Sequence, residues 1–229
     1  MAERLGRALA AQREFAGNAS HQLRTPLTGL KLRLEAAGYK TEDPDVRRDI
    51  EAAEREAERL DRLLSDLLTL AADTEGAGEG ELVELGDVAR AARERWQDTA
   101  ASHGHELALD GNGAICVRSS PSDLAAILDN LVENAINYSP EGTDVELTWG
   151  GHDSHAYLAV RDRGPGIEPQ EAERVFERFY RGQDSAGKPG TGLGLTIVDT
   201  LARRWGGRAR IESEDPGTRI RVTLPREDQ

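Results

Sequence analysis

Residues 46–71 carry an apolar repeat that strongly restricts the fold of this chain. Small or apolar side chains recur there with the spacing 4-3-4-3-4-3-4, at Val46, Ile50, Ala53, Ala57, Leu60, Leu64, Leu67 and Ala71. This heptad spacing places them in one stripe along a helix. Residues 5–30 follow it less regularly, and the turn-forming stretch KTEDPD at 40–45 separates the two runs. The pattern therefore predicts a helical hairpin within residues 1–72.

The predicted hairpin has an apolar stripe on both helices, which it cannot bury by itself. Two hairpins related by a two-fold axis bury all four stripes in a four-helix bundle. We therefore predict that the chain forms a homodimer through its N-terminal segment.

The rest of the chain has a mixed helix and strand pattern. DTEGAGEGE at 73–81 contains too little apolar surface to pack, and we interpret it as a linker. After it, short strand patterns alternate partly with helical patterns, and the helical ones lie near 86–102, 122–138, 168–179 and 192–205. This order predicts an α/β sandwich, with one mixed sheet under a layer of helices, so the fold class of the whole chain is α+β.

Composition restricts the choice of partner. The formal net charge is −13 and the pI is near 4.9, and no basic patch interrupts the acidic sequence. A nucleic-acid backbone would be repelled, so we predict no nucleic-acid partner. The single cysteine, Cys116, lies in the apolar run AICV and is expected to be a buried free thiol.

The glycine-rich stretch GQDSAGKPGTGLGL at 182–195 has the composition of a phosphate-binding loop. A P-loop needs Ser or Thr after its lysine, whereas Lys188 precedes Pro189, which has neither a hydroxyl nor an N–H group. The Rossmann fingerprint has a different glycine spacing and follows a strand. FERFYR at 176–181 instead has a helical pattern. A flexible surface loop and a third kind of phosphate loop remain as alternatives.

Two other segments favour the phosphate loop. Asn130, Asn134 and Asn137 share one helix face at i, i+4 and i+7. Their amide oxygens are suited to a partly hydrated Mg²⁺ that also holds nucleotide phosphates, although a solvent-facing polar stripe is the simpler alternative. DRGPGI at 162–167 places an acid before a Gly-Pro-Gly turn. Its carboxylate can accept a hydrogen bond from an amine while the glycines admit a planar ring.

Five segments, in this order, resemble the sequence boxes of sensor histidine kinases. FAGNASHQLRTPL at 15–27 is similar to the H box, and DNLVENAINYSP at 129–140 is similar to the N box. DRGPGI, FERFYR and GTGLGL are similar to the first glycine box, the F box and the second glycine box. The resemblance covers nearly the whole chain. It implies a dimerisation and phosphotransfer hairpin over 1–72, a linker over 73–81 and a catalytic domain of the Bergerat ATP-binding fold over 82–229.

The resemblance implies ATP and Mg²⁺ as ligands and assigns residues to them. Asn130 and Asn134 would bind phosphates and Mg²⁺, with Asn134 as the metal ligand, and Asp162 would accept a hydrogen bond from the adenine amine. The remaining residues of the implied nucleotide site are Asn137, Tyr138, Gly164, Gly166, Lys188, Gly190, Thr191, Gly192, Leu193 and Gly194. Many family members have Lys or Arg at position 137. Lys188 is a candidate substitute for that phosphate contact, and a solvated loop lysine is the alternative.

His21 is the implied phosphoacceptor. In the heptad register of the first helix it falls at position f, which faces water, and a neutral imidazole with an ordinary pKa of about 6.5 can attack a γ-phosphate. Arg181 would stabilise the charge on the transferring group. Thr25 resembles the residue that positions water for dephosphorylation of the partner. Gln22 stands where the family commonly has Glu or Asp, and it can orient the imidazole but cannot take a proton.

The resemblance implies autophosphorylation followed by transfer to an aspartate of a response regulator. It also implies the cytoplasmic portion of a membrane sensor, whose membrane segments lie outside this sequence. Three alternatives stay open. They are a nucleotide-binding dimeric scaffold without kinase activity, a phosphatase-dominant member of the family, and a different Bergerat-fold ATPase or serine kinase.

Overall fold

The computed structural model describes residues 26–71, 79–111, 113–182, 190–214 and 216–227. Four predicted site residues lie outside these stretches: His21, Gln22, Thr25 and Lys188. The chain divides into two compact units, Met1–Thr74 and Glu75–Gln229. Within the described stretches, no helix is both long enough and apolar enough to span a bilayer.

The described part of the first unit is a helical hairpin, as predicted. Helix α1 occupies residues 26–38 and helix α2 occupies Pro44–Ala71. Asp43 caps α2, because its Oδ1 accepts hydrogen bonds from the N–H groups of Asp45 and Val46 at 2.8 and 3.4 Å. Pro44 follows at the first helical position, where its missing N–H costs nothing. The KTEDPD stretch thus ends one helix and starts the next.

The heptad stripe of α2 stays largely open in the single chain. Val46, Leu60 and Leu67 keep 44%, 46% and 48% of their surface exposed, while Ala57 is buried. Exposed apolar side chains at heptad positions are those that a second hairpin would cover. The homodimer stays a prediction, and this stripe is its predicted interface.

The second unit is a sheet with helices packed on one face. The helices are α3 (Leu85–Ser102), α4 (Pro121–Tyr138) and α5 (Gly194–Arg204). The strands are β1 (Glu81–Glu84), β2 (Leu107–Gly111), β3 (Cys116–Ser119), β4 (Val145–His152), β5 (His155–Asp162), β6 (Arg208–Ser213) and β7 (Thr218–Glu227). Their order is β1-β3-β7-β5-β4-β2, and β6 pairs with β7. The β2–β4 pair is parallel and the other pairs are antiparallel.

Alternation along the strands explains why the helices cover one face of the sheet. In β5, Leu158 and Val160 are 1% and 3% exposed, whereas Tyr157 and Arg161 on the opposite face are half-buried. The buried strand residues pack against apolar helix residues such as Leu128, which is fully buried. The predicted α/β sandwich is confirmed. Cys116 is a buried free thiol in β3, as expected.

One predicted helix is wrong. Residues 168–179 form turns and a single 3₁₀ turn, Arg174–Phe176, rather than an α-helix. Phe179 has a left-handed φ of 62°, and its N–H donates to the Gly192 carbonyl at 3.0 Å. That long-range contact requires the chain to reverse, so it overrides the amphipathic pattern of the segment. Helix α5 also starts two residues later than expected because Gly192, with φ of 72°, is not helical.

Candidate nucleotide-binding site

The three asparagines of α4 are half-buried on one side of the helix, and Asn130 has a defined orientation. Its Nδ2 group donates to the Ala126 carbonyl at 2.8 Å. Its Oδ1 atom faces Gly194, the first residue of α5, where an added Cβ would lie 2.8 Å from it. The N-box asparagine therefore presents a carbonyl oxygen at the N-terminus of the helix that follows the glycine loop.

Asp162 ends β5 as a buried carboxylate with 5% exposure. Its Oδ1 accepts a hydrogen bond from the Gly164 N–H group at 2.7 Å. Gly164 also packs on the last turn of α4, because a Cβ at this position would lie 2.8 Å from the Tyr138 carbonyl oxygen. The first glycine turn thus joins the end of the strand to the end of α4.

Gly217 supports the Asp162 turn from the β6–β7 connection. It has a φ of 111°, and a Cβ here would overlap the Asp162 carbonyl oxygen. Gly166 approaches the same turn, with its Cβ position 3.5 Å from the Gly217 carbonyl oxygen. Gly217 is not among the site residues predicted from the sequence. The Pro-Gly dipeptide at 216–217 indicates only a turn, since nothing in the local sequence shows which strand end lies beneath it.

The glycine loop is fastened at its C-terminal end. Gly192 accepts the hydrogen bond from Phe179, and its Cβ position lies 3.0 Å from the Phe179 Cα. Thr191 accepts a hydrogen bond from the Leu193 N–H group at 3.2 Å, and Leu193 is fully buried. Gly190 is exposed and has a φ of 149°. The second glycine box therefore enters α5 through an anchored turn.

Tyr180 and Glu171 form a second anchor beside this loop, which sequence analysis also missed. The Tyr180 hydroxyl donates to Glu171 Oε1 at 2.6 Å, and the Arg174 guanidinium lies 4.5 Å from the centre of the Tyr180 ring. The hydrogen bond from Tyr180 to Glu171 raises the pKa of Tyr180 above its ordinary value. Arg181 follows directly and is exposed.

The donor set fits a magnesium ion held together with a nucleotide. Among the described residues, no group of three or more His, Cys, Asp or Glu side chains could hold a metal ion. Asn130 and Asn134 instead offer neutral amide oxygens. Mg²⁺ accepts such oxygen ligands and usually completes its octahedron with water and substrate phosphates. The residues therefore fit Mg²⁺ bound to a nucleotide better than Mg²⁺ bound alone.

Comparisons with known proteins agree with this geometry. Residues 11–76 match the family described as His Kinase A (phospho-acceptor) domain. Residues 119–228 match the family described as histidine kinase-, DNA gyrase B-, and HSP90-like ATPase. The phosphate regulon sensor protein PhoR of Pseudomonas aeruginosa is 35% identical over 213 residues, which cover 90% of this chain and 48% of PhoR.

Two further relatives extend the similarity to solved structures. The signal transduction histidine-protein kinase/phosphatase MprB of Mycobacterium bovis is 38% identical over 239 residues, covering 96% of this chain and 46% of MprB. A solved structure of mycobacterial MprB is 33% identical with a TM-score of 0.58, covering 66% of this chain and 99% of the solved chain. Full-length ShkA, solved in complex with AMPPNP, is 27% identical with a TM-score of 0.76, covering 94% of this chain and 46% of ShkA.

The chain spans about half the length of the curated relatives that it matches. Within that span, the helical hairpin is followed by an α/β unit that carries the N box, the first glycine box, the F box and the second glycine box in the family's order. The two family matches fall on the same two parts of the chain. The chain therefore belongs to the sensor histidine kinase family of two-component systems.

Proposed function

We propose that this chain binds Mg²⁺-ATP and transfers the γ-phosphoryl group to His21. The observation that carries the proposal is the position of Asn130, whose amide oxygen lies against the first residue of α5. The first N–H groups of a helix have no partner within the helix and attract anions. An oxygen ligand for a cation and a set of N–H donors for phosphates therefore occupy the same place.

The adenine end of the nucleotide is assigned to the Asp162 turn. A buried carboxylate is a strong acceptor for an exocyclic amine, and its bond to Gly164 fixes its direction. Gly164 leaves the floor of this turn without a side chain, which suits a flat ring. In this proposal Asp162 binds the adenine end by accepting a hydrogen bond, and Asn130 binds the phosphate end through its amide oxygen.

The proposed chemical step follows from the resemblance to the family. An unprotonated ring nitrogen of His21 attacks the γ-phosphorus, the bond from that phosphorus to the bridging oxygen breaks, and ADP leaves. Arg181 stabilises the negative charge on the transferring group. Asn130 and Asn134 would hold Mg²⁺, which would supply positive charge to offset that of the phosphates. Gln22 can accept a hydrogen bond from the second ring nitrogen, but it cannot remove the proton. That proton therefore passes to solvent.

The partner proposals follow from the family. Phosphohistidine transfers its phosphoryl group to an aspartate of a response regulator, and Thr25 is assigned to position water when the regulator is dephosphorylated. MprB is described as a kinase and phosphatase, which supports both activities. The homodimer, with the α2 stripe as its interface, and a position on the cytoplasmic side of a membrane sensor belong to the same proposal, because ATP and the regulator are cytoplasmic.

A nucleotide-binding scaffold or a phosphatase-dominant kinase is the second candidate. The observation that favours it is Gln22, because an amide in place of a carboxylate removes the group that would accept the imidazole proton.

Incubation with γ-labelled ATP and Mg²⁺ separates the two candidates. We expect the native chain to acquire label that survives base and is released by acid, and we expect His21→Gln to acquire none. His103→Gln is a matched control, because His103 is an exposed histidine at the end of α3 and should leave labelling unchanged. Binding of ATP without acid-labile label would favour the scaffold or phosphatase. Absence of ATP binding would overturn both candidates.

A further inference from the structure

Hydrogen bonds among three side chains join the C-terminal end of α5 to the first turn of α4. We call this group, formed by Asp123, Arg204 and Trp205, a clamp. The Trp205 indole N–H and the Arg204 Nη1 group both donate to Asp123 Oδ2, at 2.8 and 3.2 Å. The side chains of Asp123 and Arg204 are only 17% and 16% exposed. Hydrogen bonds to a charged acceptor that is largely removed from water are among the stronger ones in proteins.

The same helix pair carries the nucleotide site at its other end. Gly194, the first residue of α5, lies against Asn130, whereas Arg204, the last residue of α5, contacts Asp123 at the start of α4. The two helices therefore run antiparallel. A shift of α5 by one residue along α4 corresponds to about 1.5 Å, which would break the clamp and displace Gly194 from the Asn130 oxygen.

The Trp205 ring also packs against Gly80. Gly80 lies so close to the six-membered part of the ring that any Cβ at this position would overlap it. Arg118 holds this glycine in place, because its Nη1 group donates to the Gly80 carbonyl at 3.1 Å. Trp205 is the C-cap residue of α5, and Gly206, with φ of 73°, turns the chain away. The indole N–H is therefore held in its direction toward Asp123.

We propose that Asp123 and Trp205 are positioning residues for the triphosphate. By fixing where α5 ends on α4, they fix where its N-terminal N–H groups stand relative to the Asn130 oxygen. This inference rests on the proposed nucleotide binding and deepens it. The adenine end, built on Asp162 and Gly164, does not include α5. Disruption of the clamp should therefore weaken binding of the ligand's phosphates and leave binding of its base unchanged.

Helix α3 offers a matched control with the same chemistry. The Trp96 indole N–H donates to Asp129 Oδ1 on α4 at 2.8 Å, and Arg95 Nη2 donates to the same oxygen at 2.7 Å. Here too an Arg-Trp dipeptide clamps an aspartate of α4. This clamp holds α3, which contributes none of the residues assigned to the nucleotide site.

The test compares Trp205→Phe with Trp96→Phe, each of which removes one indole N–H and keeps an aromatic ring. Calorimetric titration with Mg²⁺-AMPPNP reports the triphosphate, an NMR titration with adenosine reports the base, and urea unfolding reports stability. We expect Trp205→Phe to weaken AMPPNP binding roughly tenfold and to leave adenosine binding unchanged, since small displacements of positioned groups have large effects. Trp96→Phe should leave both affinities unchanged while losing similar stability.

A second pair of variants tests the acceptor. Asp123→Ala should reproduce the loss of AMPPNP affinity, whereas Asp123→Asn retains an amide oxygen for Trp205 and should recover most of it. Equal weakening of AMPPNP and adenosine by Trp205→Phe, or equal loss of AMPPNP affinity in Trp96→Phe, would overturn the inference, because the effect would then be general destabilisation. A native chain that binds neither ligand would overturn the proposed function itself and the inference with it.

Discussion

The amide oxygen of Asn130 and the first residue of α5, Gly194, are in contact, and a Cβ at position 194 would stand 2.8 Å from that oxygen. The asparagine has little freedom to move away, since its Nδ2 group is bonded to the Ala126 carbonyl. A single methyl group at this position should therefore disturb the Asn130 oxygen directly.

Gly194→Ala is expected to weaken Mg²⁺-ATP binding by roughly tenfold, because a ligand oxygen in the site must move. The overlap with the Asn130 oxygen costs stability and the higher helix propensity of alanine offsets part of that cost, so the free energy of unfolding should change by less than about 1 kcal/mol. Calorimetric titration and urea unfolding measure the two quantities. Gly29→Ala is the control, since Gly29 is also helical and has open space at its Cβ position. Unchanged binding in Gly194→Ala would show that the Asn130 oxygen is not part of the site.

Asp162→Asn should change which base is bound. The amide can still accept the hydrogen bond from Gly164 through its oxygen, but it presents an NH₂ group in place of the second carboxylate oxygen. We expect ATP affinity to fall by roughly a hundredfold, as for a buried donor facing a donor, while a 6-oxopurine nucleotide such as ITP gains relative to ATP. Competition binding with the two nucleotides measures this ratio, and an unchanged ratio would remove Asp162 from the adenine contact.

The sequence predicted the parts of the site that are encoded locally. The spacing of Asn130, Asn134 and Asn137 placed them on one side of a helix, and the DRGPGI turn follows its strand as expected. Heptad spacing and the KTEDPD break similarly predicted where α2 begins, and Asp43 caps the helix there. These features depend on residues only a few positions apart.

Features that depend on distant residues could not be predicted. Trp205 and Asp123 are separated by 82 positions along the chain, and no local pattern pairs them. The predicted helix over 168–179 failed for the same reason, since the Phe179 bond to Gly192 requires a chain reversal that a 3.6-residue periodicity does not reveal. Local sequence patterns thus identified the sequence boxes, whereas tertiary contacts determine how the boxes are arranged in space.

Tyr180→Phe should loosen the anchor beside the glycine loop. The bond to Glu171 raises the Tyr180 pKa, so the contribution of the bond is fully present below the ordinary tyrosine pKa of 10.0 and is lost as pH rises through the raised value. Spectrophotometric titration should show that the variant lacks the tyrosine with the raised pKa. Its KM for ATP should rise several-fold at neutral pH, since the loop that Tyr180 anchors leads to Arg181. A tyrosine with a raised pKa that is still present in the variant would contradict the bond.

Leu67→Lys should weaken dimerisation. Leu67 keeps 48% of its surface exposed in the single chain and belongs to the heptad stripe, so a charge there would be buried between hairpins. We expect the dimer dissociation constant, measured by sedimentation equilibrium, to rise at least roughly a hundredfold. Leu32→Lys is the control, because Leu32 is 60% exposed and lies outside the stripe. A dimer equally stable in both variants would place the interface elsewhere.

Gln22→Glu should raise the rate of autophosphorylation. A carboxylate beside His21 can orient the imidazole and take its proton during attack, whereas the native amide can only orient it. General-base assistance is typically worth about 10²–10⁴-fold, and because part of the orienting effect is already present we expect an increase of roughly ten- to a hundredfold. Single-turnover labelling with saturating Mg²⁺-ATP measures the step. Gln22→Ala, which removes the orienting contact as well, should be slower than the native chain. A rate in Gln22→Glu equal to the native rate would mean that proton removal does not limit the transfer. The transfer would then not depend on a general base at position 22.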